Sequence, residues 1–335
     1  MEYLQRGIDN SIFGTHKPEE STPLSTPDLD ALPPEVAEKI KAQVPPVSKG
    51  YLFRREHIAR LSGWWEYPLG SEGLWIYGPT GSGKTSVALE FFGHLGVPVC
   101  VVSCGKSTKL EKYLVRPVVR SVNGGTQIDY EPGPLALAMI YGYPVILDEG
   151  DRLDPKEASR LHAALDGNGV DVPELNTVIY PAEGFRVIVT ANSSGGGDET
   201  GVYNAVLKQD LASSDRYIFM KVDYPDAAMD NALLEGAFGD DIPSEIRSIL
   251  VKLAERVRQA FVGTDAGMKS AEALDVTISS RALLQTGHYL TLYAASAKDK
   301  GQDPVKLVLD MTVLPRATSE TRDAIHKMVD LVSGG

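Results

Sequence analysis

Short apolar runs and longer helical stretches alternate along the middle of this chain. The apolar runs occupy residues 74–77, 99–102, 145–147, 187–190 and 218–222, and each has the length of a buried strand. Residues 85–95, after the first run, have the pattern of a helix, and Asn-Gly-Gly at 123–125 predicts a hairpin within residues 121–130. Strands that alternate with helices form parallel βαβ units. The pattern therefore predicts an α/β fold with a five-stranded parallel sheet covered by helices on both faces.

The pattern changes on either side of this region. After residue 223 the strand signals stop, and residues 244–261, 279–296 and 320–332 have the apolar spacing of amphipathic helices. Before residue 51 the chain is rich in Pro, Ser, Thr and acids, with one short helical stretch at 35–42, which is typical of an extended arm. We expect a Pro-rich N-terminal arm (1–50), an α/β domain (51–223) and a smaller all-helical domain (224–335).

The first strand candidate leads directly into a glycine-rich loop. Residues 78–85 have the sequence GPTGSGKT, which matches G-x-x-x-x-G-K-[ST] at every fixed position between a predicted strand and a predicted helix. Glycines let backbone N–H groups surround a phosphate, and the following helix presents its positive end there. The lysine of this motif contacts the β- and γ-phosphates, and the hydroxyl ligates Mg²⁺. The residues predicted to bind a nucleoside triphosphate are Gly78, Pro79, Thr80, Gly81, Ser82, Gly83, Lys84, Thr85 and Ser86.

Another strand candidate ends in two carboxylates, Asp148 and Glu149. Taken alone, an acidic pair after a strand is commonly a solvated loop. Parallel strands end at one edge of a sheet, however, so this pair should lie near the phosphate loop. Asp148 can then hold Mg²⁺ together with Thr85, and Glu149 can polarise the water that attacks the γ-phosphate.

Three further polar residues stand where a triphosphate site could use them. Asn192 follows the strand candidate 187–190 and could orient the attacking water. Arg216 precedes the last strand candidate and could reach the nucleotide of a neighbouring subunit, where such arginines accelerate phosphoryl transfer by roughly 10³–10⁵. Arg281 opens a predicted helix of the C-terminal domain and could contact the γ-phosphate. Each also has an ordinary alternative, namely a capping Asn, a surface ion pair and a solvated Arg.

Composition narrows the possible partners. The formal charge is 33 − 45 = −12, and no run of Lys and Arg exceeds Arg54-Arg55, which disfavours binding to the phosphates of nucleic acid. The sequence contains no run of about eighteen apolar residues, so it predicts no membrane helix. The N-terminus lacks the pattern of a secretory signal. The two cysteines and six histidines show no metal-ligand spacing. We expect a cytoplasmic protein with no membrane partner.

The order of these motifs resembles the AAA+ superfamily. The chain is most similar to the MoxR branch and, within it, to the CobS-type small subunit of aerobic cobaltochelatase. The similarity runs from about residue 12 to the C-terminus. The segments that carry it are YLFR (51–54), YEPGPLALA (130–138), FRVIVTAN (185–192), GDETGVY (197–203) and SDR (214–216).

The resemblance implies a role for each candidate residue. Lys84 and Thr85 take the Walker A role, and Asp148 and Glu149 take the Walker B role. Asn192 is sensor 1, Arg216 is the arginine finger and Arg281 is sensor 2. The resemblance also implies an AAA+ core followed by a helical lid domain, and a ring, expected to be a hexamer, with ATP and Mg²⁺ at each subunit interface. The partner it implies is another protein, of von Willebrand type or a chelatase subunit, which the ring remodels or activates.

The chain departs from the CobS-type pattern in two segments. Residues 193–197 (SSGGG) are looser, and residues 206–214 lack the glutamine-rich helix usual there. These departures leave the ATPase prediction intact but leave the partner open. Two alternatives therefore stay in view, a nucleic-acid-associated AAA+ motor, which a phage could encode, and a nucleotide-dependent switch with little turnover. The predicted hairpin is either a partner contact or an inert surface feature.

Overall fold

The computed structural model describes residues 3–14, 23–48, 51–67, 72–122, 125–194, 215–261 and 274–334. The strands of these residues are β1 (Tyr3–Asp9), β2 (Pro23–Pro27), β3 (Gly73–Tyr77), β4 (Cys100–Ser103), β5 (Val115–Val122), β6 (Gly125–Pro132), β7 (Val145–Asp148), β8 (Val170–Val172), β9 (Thr177–Ile179), β10 (Val187–Ala191) and β11 (Tyr217–Lys221). The α-helices are α1 (Pro34–Lys41), α2 (Arg55–Glu66), α3 (Lys84–Leu95), α4 (Glu111–Leu114), α5 (Pro134–Tyr141), α6 (Pro155–Ala158), α7 (His162–Leu165), α8 (Ala227–Phe238), α9 (Ser244–Ala260), α10 (Ser280–Asp299), α11 (Pro304–Thr312) and α12 (Ser319–Ser333).

Five of these strands form one parallel sheet. Its spatial order is β11-β3-β10-β7-β4, and each neighbouring pair is parallel. The register places Ile188 beside both Leu74 and Ile146. All five apolar runs of the sequence are strands of this sheet, within one residue at each end, so the predicted fold class is confirmed.

Both faces of the sheet are covered. Side chains alternate between the faces, so Trp75, Leu147 and Val189 pack in one apolar cluster, whereas Ile76 and Ile188 pack in another. The first cluster includes residues of α1 and α5, and the second includes residues of α2 and α3. This two-sided burial explains why the central strands β3, β7 and β10 are apolar at consecutive positions.

The N-terminal residues that the structure describes pack on the α/β domain. Strands β1 and β2 pair antiparallel, and Leu24 of β2 is fully buried. The Trp65 Nε1–H donates to the Ser25 carbonyl oxygen at 2.9 Å. On the other face of the sheet, Ile40 of α1 is fully buried in the core. Parts of the range predicted as an arm therefore contribute to the core.

The C-terminal region is helical, as predicted. Helices α8 to α12 surround an apolar cluster of their own that includes Leu253, Leu283 and Leu309. The three predicted helices of this region are α9, α10 and α12. Helix α8 went unpredicted because it buries only Asp230 and Leu234, which gives a weak apolar period. No helix in the described parts of the chain combines the length and apolarity needed to cross a membrane.

The predicted hairpin is present as β5 and β6, which pair antiparallel from Val115 opposite Pro132 to Val122 opposite Gly125. It is longer than predicted, and residues 123–124 of its turn lie outside the described residues. One face presents exposed Val119 and Ile128. The hairpin lies between α4 and α5 in the chain.

Candidate functional site

The predicted phosphate loop joins the carboxyl end of β3 to α3. Its backbone has a positive φ at three glycines, and the first and last of these show why glycine is needed. Gly78 has φ of 151°, and a Cβ there would lie 2.1 Å from the Val222 carbonyl oxygen, whereas Gly83, at the N-cap of α3, has φ of 95°. The loop therefore leads directly onto the N-terminus of a twelve-residue helix, where N–H groups and the helix dipole favour a phosphate. Gly78, Pro79, Thr80, Gly81, Ser82 and Gly83 form the turn, and Lys84, Thr85 and Ser86 begin the helix.

Lys84 lies at the centre of the loop. Its ammonium donates to the carbonyl oxygens of Gly78 and Pro79, each at 2.9 Å, and to Asn192 Oδ1 at 3.1 Å. Burial lowers the pKa of Lys84 to about 8, although three nearby carboxylates oppose this shift. An ammonium group with this pKa loses its charge just above neutral pH. Its attraction for an anion must therefore depend on pH in that range.

Asp148 is joined to two hydroxyl groups. Thr85 Oγ1 donates to Asp148 Oδ1 at 2.5 Å, and Thr190 Oγ1 donates to the same oxygen at 2.7 Å. Thr190 is buried and also accepts the Glu149 backbone N–H at 3.2 Å. Thr190 was not predicted as a site residue. The signal available in the sequence was a hydroxyl in an otherwise apolar strand that ends at Asn192.

Glu149 has an unusual backbone conformation. Its φ is 56°, in the left-handed region that residues other than glycine rarely adopt. Its carboxylate is about half exposed and pairs with Arg152, with Oε2 2.5 Å from Nη1. Strained residues of this kind persist where the surroundings hold them, as the Thr190 hydroxyl does here through the Glu149 N–H.

Asn192 is held by a buried acid. The Asn192 N–H donates to Asp151 Oδ2 at 2.7 Å, and Asp151 is completely buried. Burial raises the pKa of Asp151, and the hydrogen bond from Asn192 opposes this shift. Among the described residues, Asp151 Oδ1 has no hydrogen-bond partner. Sequence reasoning missed Asp151, whose only signal was a third acid close after the predicted pair.

These side chains line a small polar pocket of about 120 Å³. Ten of the predicted residues line it, namely Thr80, Gly81, Gly83, Lys84, Thr85, Ser86, Asp148, Glu149, Asn192 and Arg281. Arg281 reaches it from the first turn of α10, where the Ser279 side chain caps the helix. The helical domain therefore contributes one cation to a pocket that the sheet and the phosphate loop otherwise form.

A larger cavity of about 490 Å³ adjoins the polar pocket. It lies between Ser48, residues 51–57, α3, α8 and the start of α10. It shares Gly81, Gly83, Ser86 and Arg281 with the polar pocket. Its walls include apolar Leu52 and Met229. A polar pocket joined to a larger, more apolar one suits a nucleotide, with phosphates at the polar end and the nucleoside at the other.

The helical domain is also joined to the phosphate loop by polar contacts. The Tyr224 hydroxyl donates to the Thr80 carbonyl oxygen at 2.9 Å, and the Arg258 guanidinium lies 4.8 Å from the centre of the Tyr224 ring. Arg258 pairs with buried Asp230 at 2.5 Å. Burial raises the pKa of Asp230, and the hydrogen bond from Arg258 opposes this shift. None of these contacts was predicted from the sequence.

Arg216 lies at the opposite edge of the sheet. It precedes β11, and its carbonyl oxygen accepts the N–H of Gly73, the first residue of β3, at 2.8 Å. The phosphate loop begins at the far end of β3, which at about 3.3 Å per residue is roughly 15 Å away. The Arg216 side chain pairs with Asp166 instead. The structure therefore does not bring Arg216 to the phosphate site of its own chain. Several segments before Arg216 lie outside the described residues. They are residues 197–203 and Ser214, which carry the family resemblance, and residues 206–213, which depart from the family pattern.

The oxygen atoms of Thr85 and Asp148 have the chemistry that Mg²⁺ prefers. Mg²⁺ takes oxygen ligands and is commonly held by one or two protein groups together with substrate phosphates and water. The Thr85 hydroxyl and the Asp148 carboxylate lie side by side at the pocket that the phosphate loop borders. These two residues therefore fit a magnesium ion that binds together with a nucleotide.

Residues 73–208 match the family model of the AAA domain (dynein-related subfamily). An uncharacterized protein of Staphylococcus saprophyticus is 24% identical over 266 residues, which cover 78% of this chain and 90% of the relative. An uncharacterized protein of Staphylococcus aureus (strain NCTC 8325) is 26% identical over 265 residues with the same coverage. Among solved structures, a mutant of Thermotoga maritima RuvB aligns with a TM-score of 0.45 and 14% identity, over 85% of this chain and 72% of that one.

Proposed function

From the AAA domain in residues 73–208, we propose that this protein is a ring-forming, MoxR/CobS-like AAA+ ATPase. It hydrolyses ATP with Mg²⁺ at the interfaces between subunits, and so remodels or activates a partner protein. The position of Arg216 carries this proposal. The groups that can bind a triphosphate converge at the carboxyl edge of the sheet, whereas Arg216 lies at the amino edge. An arginine placed there can reach a nucleotide only in a neighbouring copy.

Within one chain, three side chains prepare the hydrolysis. Glu149 accepts a proton from the attacking water, which its half-exposed carboxylate at the polar pocket allows. Asn192, fixed by Asp151, orients that water. Lys84 neutralises charge on the β- and γ-phosphates, as the lysine of this loop does in phosphoryl transfer.

Thr85 and Asp148 hold the magnesium ion. When bound, the ion neutralises charge that develops on the phosphate oxygens. Thr190 donates to Asp148 Oδ1 and thereby fixes the orientation of that carboxylate. The buried hydroxyl therefore has a positioning role in metal binding.

Arg281 connects the nucleotide to the helical domain. It borders both the polar pocket and the larger cavity, and it projects from α10. Contact with the γ-phosphate would draw the lid domain towards the phosphate loop, and hydrolysis would release it. Such a movement is how one chain could transmit ATP turnover to a partner.

The narrower family and its partner follow from the sequence resemblance. The segments 130–138 and 185–192 are similar to those of CobS-type proteins. On this basis the assembly is a hexamer in the cytoplasm, and its partner is a von Willebrand-type protein or a chelatase subunit. Stimulation of the ATPase by DNA would instead favour the nucleic-acid motor.

The test of this proposal is complementation between two inactive variants. Arg216→Ala should bind ATP without hydrolysing it, and Lys84→Ala should fail to bind ATP. Mixed before assembly, they form interfaces in which the first variant holds ATP and the second provides Arg216. ATP turnover should therefore return in the mixture. Arg256→Ala, an exposed arginine of the lid, is the matched control and should keep full activity alone.

Two results would contradict the ring. One is the absence of any recovered turnover in the mixture. The other is full ATPase activity in a sample that light scattering shows to be monomeric. Either result would leave the phosphate site intact but remove the intersubunit role of Arg216.

A further inference from the structure

Arg216 and Asp166 form a bidentate ion pair. Arg216 Nε donates to Asp166 Oδ1 at 2.8 Å, and Nη2 donates to Oδ2 at 2.9 Å. Two parallel hydrogen bonds fix both the plane and the direction of a guanidinium group. The Arg216 and Asp166 side chains are 28% and 41% exposed, so a second chain can reach the pair.

Both residues are attached to firmly held backbone. Asp166 directly follows α7, whose Ala164 and Leu165 are buried, and its N–H donates to the His162 carbonyl oxygen at 2.8 Å. Arg216 is fixed to the sheet through the N–H of Gly73. The pair therefore joins two anchored segments, not two mobile loops.

The Asp166 carboxylate is charged throughout the neutral pH range. Its hydrogen bonds from Arg216 hold the pKa of Asp166 below the usual value for an aspartate. Ion pairs with this much exposure contribute little to folding stability. The benefit that this pair offers is the orientation of a long side chain that otherwise samples many rotamers.

We propose that Asp166 is a positioning residue for Arg216. It holds the Arg216 side chain in the orientation that contacts the nucleotide of the neighbouring subunit. This inference rests on the proposed role of Arg216 between subunits. Misplacement of a reacting group by about 1 Å can cost roughly 10²-fold in rate, so loss of the orienting carboxylate should slow hydrolysis without abolishing it.

The first test compares three variants. Asp166→Ala should lower the kcat for ATP by roughly 10- to 100-fold and leave its KM nearly unchanged, because another chain's phosphate loop binds the ATP. Asp166→Asn keeps one acceptor oxygen and should give an intermediate kcat. The matched control is Asp171→Ala, an exposed carboxylate close by on β8, which should behave as the original protein does.

The second test asks which chain of an interface needs Asp166. In one mixture, Lys84→Ala/Asp166→Ala provides Arg216 and Arg216→Ala holds ATP. In the other, Lys84→Ala provides Arg216 and Arg216→Ala/Asp166→Ala holds ATP. Both mixtures contain one Asp166 substitution, but only the first removes Asp166 beside the working Arg216. Turnover should be low in the first mixture and equal to that of the reference pair, Lys84→Ala with Arg216→Ala, in the second.

The outcomes distinguish a failure of the role of Asp166 from a failure of the proposed intersubunit role of Arg216. If both mixtures are equally active, Asp166 does not position Arg216, although the ring proposal stands. If the reference pair itself recovers no activity, the intersubunit role of Arg216 is wrong and this inference is wrong with it. If Asp166→Ala fails to assemble, as size-exclusion chromatography would show, the same mixtures made with Asp166→Asn decide the question.

Discussion

The two edges of the central sheet differ in how their functional groups are held. At the carboxyl edge, Thr190 and Asp151 are buried and hydrogen-bonded to residues that line the polar pocket. At the amino edge, Arg216 and Asp166 form one ion pair that is open to solvent. Under the proposed function, the first edge is a binding site that one chain assembles by itself. The second edge would then become part of a site only when another copy is present.

This difference implies that the edges respond differently to mutation. Buried polar groups left without partners cost stability, whereas exposed ion pairs contribute little. Changes at the carboxyl edge should therefore alter nucleotide binding and folding within a single chain. Changes at the amino edge should alter turnover in the assembly and little else.

Among changes at the carboxyl edge that leave ATP binding intact, the largest effect should come from Glu149→Gln. A glutamine cannot accept the proton of the attacking water, so kcat should fall by roughly 10²–10⁴. ATP affinity should change little, because Lys84 and the loop backbone are untouched. Equilibrium binding of a fluorescent ATP analogue and steady-state turnover measure the two quantities. Glu174→Gln, an exposed carboxylate in the connection between β8 and β9, is the control and should retain normal turnover.

Unchanged turnover in Glu149→Gln would contradict the assignment of Glu149 as the general base. It would favour the alternative of a nucleotide-dependent switch with little turnover. In that case the carboxyl edge would be a binding site only, and its contrast with the amino edge would lose its catalytic meaning.

Much of the fold could be predicted because the strand signals were strong. A buried parallel strand is apolar at consecutive positions, and each of the five runs had that pattern. The phosphate loop could be placed because its motif stood between such a strand and a helix. Lys84 and Thr85 belong to that motif. Asp148, Glu149 and Asn192 follow later strand candidates, and the rule that parallel strands end at one edge placed them nearby. Arg281 lies in the same pocket.

The supporting residues could not be predicted for a physical reason. Thr190, Asp151 and Asp166 contact residues far away in the sequence, and a single sequence contains no information on those distances. Asp166, for example, meets Arg216 across 50 positions. The larger cavity escaped prediction for the same reason, since Ser48, residues 51–57, α3 and α8 meet only in the folded chain.

A smaller effect should separate the two edges by stability. Thr190→Val keeps the shape of the side chain but removes the hydroxyl, which leaves the Glu149 N–H without its acceptor. The free energy of unfolding should fall by about 1–3 kcal/mol. Asp166→Ala should lower it by less than about 1 kcal/mol. Urea denaturation with a common m-value measures both, and Thr126→Val, the same change at an exposed position of β6, is the control. Equal losses for Thr190→Val and Asp166→Ala would remove the contrast between the edges.

The smallest predicted effect is a pH dependence confined to the carboxyl edge. Burial sets the pKa of Lys84 at about 8, so the ammonium is charged below pH 8 and loses its charge above it. Because the triphosphate is attracted by the charged form, the Kd for ATP should rise above pH 8, by at most about tenfold per pH unit. Binding above pH 8 should also take up a proton, which calorimetry in buffers of different ionisation enthalpy detects. Lys84→Arg stays charged and should lack the slope, whatever its absolute affinity.

The ion pair at the amino edge keeps its charges between pH 7 and 9, since the arginine stays protonated and the pKa of Asp166 is lowered by Arg216. A Kd that is equally flat in both proteins from pH 7 to 9 would show that Lys84 remains fully charged in its buried position.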